Sequence, residues 1–153
     1  MALGPIQFYC NTAVALICGI ALWTDCSSRR ISNRLILIGL ICTGAVVLIE
    51  VYFKGDWQNA GGRLAAGGFA SFLHGIPYVS GQMGAGDLKL AMVMGLLLGW
   101  DAWHAYMGYY GLVLGMVALI LCLVPAKHKP SSLPLALFMG IAFYLCLLND
   151  MGL

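Results

Sequence analysis

The sequence predicts an all-α fold, a polytopic membrane protein whose six transmembrane helices form a bundle. Three observations predict it. Hydrophobic residues make up 61% of the 153 positions and charged residues only 9%, against roughly a quarter charged in a soluble domain. The mean hydropathy is +0.91. The apolar residues fall in continuous runs, and a bilayer admits only helices or closed barrels; continuous rather than alternating runs mean helices.

A helix needs about 20 residues to cross the hydrocarbon core. The candidate spans are residues 6–24, 35–53, 64–79, 88–103, 106–124 and 133–148. The first, second and fifth are long and almost free of charge; the other three borrow flanking residues. No basic segment precedes the first run, so it is expected to remain as a span rather than to be cleaved as a signal peptide. Trp23, Trp57, Trp100 and Trp103 all fall at predicted ends, where amphipathic rings favour the interface. Gly95-x-x-x-Gly99 and Gly111-x-x-x-Gly115 predict close helix packing. Cys10, Cys18, Cys42, Cys122 and Cys146 lie inside apolar runs and no CxxC pair occurs, so they read as packing residues with no metal site.

The charges are few enough to place one by one. A net charge of +2 offers no basic surface for nucleic acid. Arg29, Arg30, Arg34, Lys89, Lys127 and Lys129 belong to odd-numbered loops, and only Lys54 and Arg63 to the other side. The positive-inside bias then makes the odd loops cytoplasmic, with both termini outside. Glu50, Asp56, Asp101 and Asp150 fall outside, which leaves Asp25 and Asp87 facing the cytoplasm at one membrane depth. Two neighbouring carboxylates do not both ionise cheaply, so they share a proton and can polarise a water and a carbonyl together. That is the chemistry of aspartic proteolysis. Asp25, at a helix C-terminus, is the expected holder of the proton, and Asp87, at a helix N-terminus, the expected carboxylate.

Each residue also has a plainer reading. Asp87 can serve as a helix cap, Asp25 as a partner of Arg29 or Arg30, and His74, the single ionisable group deep in a predicted span, as a hydrogen-bonded packing residue.

Asp25-Cys26-Ser27-Ser28-Arg29-Arg30-Ile31-Ser32-Asn33-Arg34 resembles the first signature of type IV prepilin peptidases, and Gly84-Ala85-Gly86-Asp87-Leu88-Lys89 resembles their second, the GxGD-x-K pattern. The GxGD core is shared with preflagellin peptidases, presenilin and signal peptide peptidase. The resemblance implies that Asp25 and Asp87 are catalytic, that Gly84 and Gly86 let backbone approach the substrate, and that Lys89 belongs to the active-site loop. It implies a prepilin substrate with a short basic leader, cut at the cytoplasmic face next to a glycine and just before the hydrophobic helix that anchors it in the bilayer. Ser32 stands where the family usually has proline, which removes a fixed φ from the turn. The zinc-binding cysteine region and N-methyltransferase half of longer members are absent from these 153 residues. A single peptidase domain of the short branch serving Flp/Tad-type pili is therefore expected, with no cofactor. The alternatives are a small proton-coupled transporter and a catalytically silent pilus or secretion assembly factor.

Overall fold

The structure, a computed structural model, describes residues 5–28, 31–81, 83–123 and 135–150; at 5–8, 22, 25–28, 121–123, 135–136 and 149–150 it describes the backbone alone. The described residues are almost all helical. The helices are α1 (Pro5–Ser28), α2 (Asn33–Leu48) running on into a π-helical turn (Ile49–Phe53), α3 (Trp57–Val79), α4 (Ala85–Leu123) and α5 (Leu135–Asp150). Asn33–Phe53 and Ala85–Ile120 are long and apolar enough to cross a membrane.

Local chemistry sets the ends. Pro5 opens α1, where a missing N–H costs nothing. Asp56 caps α3 by accepting from the Asn59 N–H at 3.0 Å. Gly81, at φ 74°, ends the turn after α3, a conformation that glycine adopts without steric cost.

The predicted boundary between the fourth and fifth runs, at residues 104–105, is corrected to Gly99. Helical geometry breaks there, at φ 77° and ψ 172°, so α4 is two helices across a kink. The second half folds back along the first. Tyr110, eleven residues after the break, lies within electrostatic reach of Asp87, twelve residues before it, and its ring stands 5.7 Å from that of His74 in α3. Asp101 and His104 sit on an exposed helix face just past the break.

Arg63 holds this reversal. Its Nη1 donates to the Leu97 carbonyl, one of the last four of the first half and so without an intrahelical partner. Its Nε and Nη2 are fixed by Glu50 at 2.9–3.0 Å, and both residues are only 4% exposed. The Cys10 side chain of α1 lies against the same guanidinium. His74 is therefore not the one ionisable group in the interior; Glu50 and Arg63, read from the sequence as outer-face charges, are a buried pair. The amphipathic pattern concealed this because each is a single charge at the end of an apolar run.

The first half of α4 is the centre of the bundle. Leu90, Ala91, Val93, Met94 and Leu97 are all buried against α1, α2, α3 and α5. Close approach needs small residues: a Cβ on Gly95 would stand 2.7 Å from the Ala66 carbonyl oxygen of α3. Gly99 serves conformation rather than packing, and a Cβ on Gly111 or Gly115 would meet nothing within 4 Å, so the expected packing role holds for Gly95 alone. Trp103 is also corrected. It is 1% exposed, packed 5.1 Å from Tyr106 in the returning half of α4, because the helix it was taken to end continues past it. Cys10, Cys18 and Cys146 are buried as packing residues; the side chain of Cys122 and all of Lys127 and Lys129 lie outside the described residues.

Removing one partner of a buried pair leaves the other charge uncompensated, at a cost of about 3–5 kcal/mol. Arg63→Met and Glu50→Gln are each expected to lose about that much stability, because Glu50→Gln leaves the Arg63 guanidinium buried without a counter-charge. Thermal unfolding of the detergent-solubilised chain measures both. The Tyr106 hydroxyl has no hydrogen-bond partner among the described residues. Tyr106→Phe is accordingly expected to be as stable as the native chain or up to about 1 kcal/mol more so in the same assay.

Candidate active site

The end of the bundle opposite the Glu50–Arg63 pair carries both signature segments. Asp25 lies in the last turn of α1; its side chain is outside the described residues, as are Arg29 and Arg30. Seven residues after Asp25, Ser32 caps α2: its Oγ accepts from the Arg34 N–H at 3.2 Å, and its carbonyl accepts from the Leu35 N–H at 3.0 Å. Its φ of −67° is the value a proline ring would impose. The hydroxyl cap thus supplies locally what the usual proline supplies by ring closure.

Gly84 to Lys89 open α4. The helix begins at Ala85, three residues earlier than the apolar run suggested, with the Leu88 N–H donating to the Gly84 carbonyl at 3.3 Å. Asp87 is therefore the third residue of the first turn rather than the cap. Its Oδ2 curls back toward the helix start, 3.4 Å from where a Cβ on Gly84 would stand, and the N-terminal end of a helix favours negative charge. Tyr110, in the returning half of α4, lies within electrostatic reach of Asp87.

The two segments touch. A Cβ on Gly86 would meet the Ile31 Cβ at 3.1 Å, closer than ordinary van der Waals contact, so the α1–α2 turn rests directly on the glycine. Lys89 Nζ donates to Asn33 Oδ1 at 3.1 Å across 56 residues of sequence. Neither Gly84 nor Gly86 has positive φ. Their function is space: for the first-signature turn at Gly86 and for the Asp87 carboxylate at Gly84.

These contacts join the two segments that carry the sequence resemblance, and the profile of the type IV leader peptidase family matches residues 12–147. The chain belongs to that family. The match covers both signatures and runs from α1 into α5. No curated protein and no solved structure matches the chain. Membership in a leader peptidase family implies a peptidase with prepilin as its substrate, and together with the two apolar helices it points to a membrane protein.

The sequence had singled out Gly84, Gly86, Asp87 and Lys89, and the structure gathers them in one helix opening. It had passed over Ile31 and Asn33 as contact residues, although both stand inside the first signature. Tyr110 had no signal at all. It sits in an apolar run, and only the reversal at Gly99 brings it to Asp87. His74 is buried, with Nδ1 2.9 Å from the Ala70 carbonyl oxygen, which agrees with the packing role.

The two motif glycines differ in the room around them, and the difference is measurable. Gly86→Ala forces backbone-borne atoms against Ile31 and is expected to cost about 1–3 kcal/mol and to depress processing. Gly84→Ala meets only the mobile end of Asp87 and is expected to cost less. Unfolding and leader cleavage of the two variants, side by side, check the order.

Proposed function

We propose that this chain is a membrane aspartic endopeptidase that removes the short basic leader from type IV prepilins of the Flp kind. Asp25 and Asp87 are its catalytic pair. The observation that carries this reading is the contact between the two signature segments, Ile31 on Gly86 and Asn33 with Lys89, because each segment brings one of the aspartates to the same end of the bundle.

The chemistry follows from two carboxylates sharing one proton. Asp87, in the first turn of α4, is the group favoured as carboxylate; it takes a proton from water as the water oxygen bonds to the scissile carbonyl carbon. Asp25, in the last turn of α1, where the helix end disfavours negative charge, donates its proton to the carbonyl oxygen. Collapse of the tetrahedral intermediate breaks the C–N bond, and the amine of the new N-terminus leaves with a proton returned from the pair. No cofactor enters these steps, and residues 1–153 act as one peptidase domain.

The topology belongs to the same reading. The break at Gly99 divides α4 into two passes, which supports six spans. The cations of the odd loops then put the Asp25–Asp87 end at the cytoplasmic face of the inner membrane and both termini outside. A prepilin's own apolar helix would deliver its leader junction to that face from within the bilayer. The joined segments favour a peptidase over a transporter, which would require inverted repeats and a polar midplane; the deep ionic pair, Glu50 with Arg63, is instead closed on itself.

The test is processing of a co-expressed Flp-type prepilin in membranes, read by mass. Asp25→Asn and Asp87→Asn keep shape and lose the acid, and each is expected to lower processing by at least about 10²-fold at normal protein level. Continued processing by either variant would sink the two-aspartate mechanism.

A further inference from the structure

Lys89 is the motif residue whose role the reaction leaves unused. Successive residues of an α-helix are about 100° apart, so side chains two apart point roughly 200° away from one another. Lys89 and Asp87 therefore leave α4 in opposite directions. Asp87 turns back toward its own helix start, while Lys89 reaches Asn33, the first residue of α2. The ammonium and the amide are both exposed, which lets a long side chain span the gap while its charge stays solvated.

We propose that Lys89 is a positioning residue, a clasp that fixes the α1–α2 turn, which follows the Asp25-bearing end of α1, against the Asp87-bearing start of α4 through Asn33. The proposal rests on the two-aspartate reading above and adds to it the group that keeps the pair in register. Seven residues separate Asn33 from Asp25, the last three of α1 and the four that join it to α2, and among the described residues the far end of this segment meets the start of α4 at Ile31 on Gly86 and Asn33 on Lys89. The packed contact sets how near the turn approaches. The hydrogen bond sets its lateral position. An exposed bond contributes little to stability, but a displacement of 1 Å between catalytic groups can cost about 10²-fold in rate. Loss of the clasp therefore acts on turnover more than on folding.

The experiment is a double-mutant cycle on the full chain in membranes, with the co-expressed Flp-type prepilin as probe. Lys89→Met and Asn33→Leu are each expected to lower kcat by about 10- to 100-fold with KM changed less than about 3-fold. The double variant is expected to fall no further than the worse single one. Lys89→Gln, an uncharged donor, and Asn33→Asp, a retained acceptor, are each expected to recover most of the loss, with the pH profile unmoved. Additive losses in the double variant, a rise in KM with kcat held, or a shifted acidic limb in Lys89→Gln would each overturn the clasp, the last two by assigning Lys89 to the leader or to the charge of the aspartates. Limited tryptic cleavage at Arg29 and Arg30 reads the turn without any substrate and is expected to quicken in Lys89→Met and Asn33→Leu. Unchanged nicking overturns the proposal even if no prepilin is cut, whereas retained cleavage in the aspartate variants overturns only the reaction assigned to the site.

Discussion

The fold depends on the chain reversing at Gly99 inside an apolar bundle. A reversal leaves carbonyl groups of the preceding helix without partners where water is scarce, and an unpaired carbonyl there is costly. Arg63 resolves this by donating to Leu97, but an isolated guanidinium would be costlier still, so Glu50 neutralises it and the π-helical turn at Ile49–Phe53 carries that carboxylate. The π-helical turn, α3 and α4 thus meet at one charge pair, with Cys10 of α1 beside it. Everything downstream of Gly99, including the column of Trp103, Tyr106 and Tyr110, takes its direction from that junction.

The bundle consequently has two ends with different physics. At one, a buried and closed ion pair secures the topology, and its loss is a loss of folded protein. At the other, the described contacts between the signature segments include the half-buried packing of Ile31 on Gly86 and the exposed bond from Lys89 to Asn33. Asp87 belongs to both through α4: its helix is anchored by the reversal, while the first-signature turn packs on the opening of that same helix at Gly86. Tyr110 reports the same link, since a shift at Gly99 would carry its phenol away from the carboxylate.

Helix type was legible in the sequence because continuous apolar runs admit one backbone solution in a bilayer, and the second signature was legible because glycine spacing and an acid at a helix start are local features. The position of the reversal was not. Hydropathy follows composition, and it put the boundary between the runs 88–103 and 106–124, although only glycine takes φ 77° without strain. Glu50 and Arg63 were visible as charges, yet their pairing is a tertiary fact, thirteen residues apart on different helices. Asn33 and Ile31 were read as parts of a motif rather than as contacts, because a motif gives the order of residues and not what they touch.

Ser32 shows how a departure from a family pattern can leave a site intact. Proline in such a turn contributes a fixed φ near −65° and removes a donor; serine contributes neither by itself. Here Ser32 nevertheless sits at φ −67°, held there by its hydroxyl on the Arg34 N–H and its carbonyl on Leu35. The difference lies in the unfolded chain, where serine has more conformations to lose on folding than proline does. The turn is thus specified by the cap at its end and by the contacts of Ile31 and Asn33 that flank Ser32, so this chain relies more on what touches the turn than on the ring that usually stiffens it.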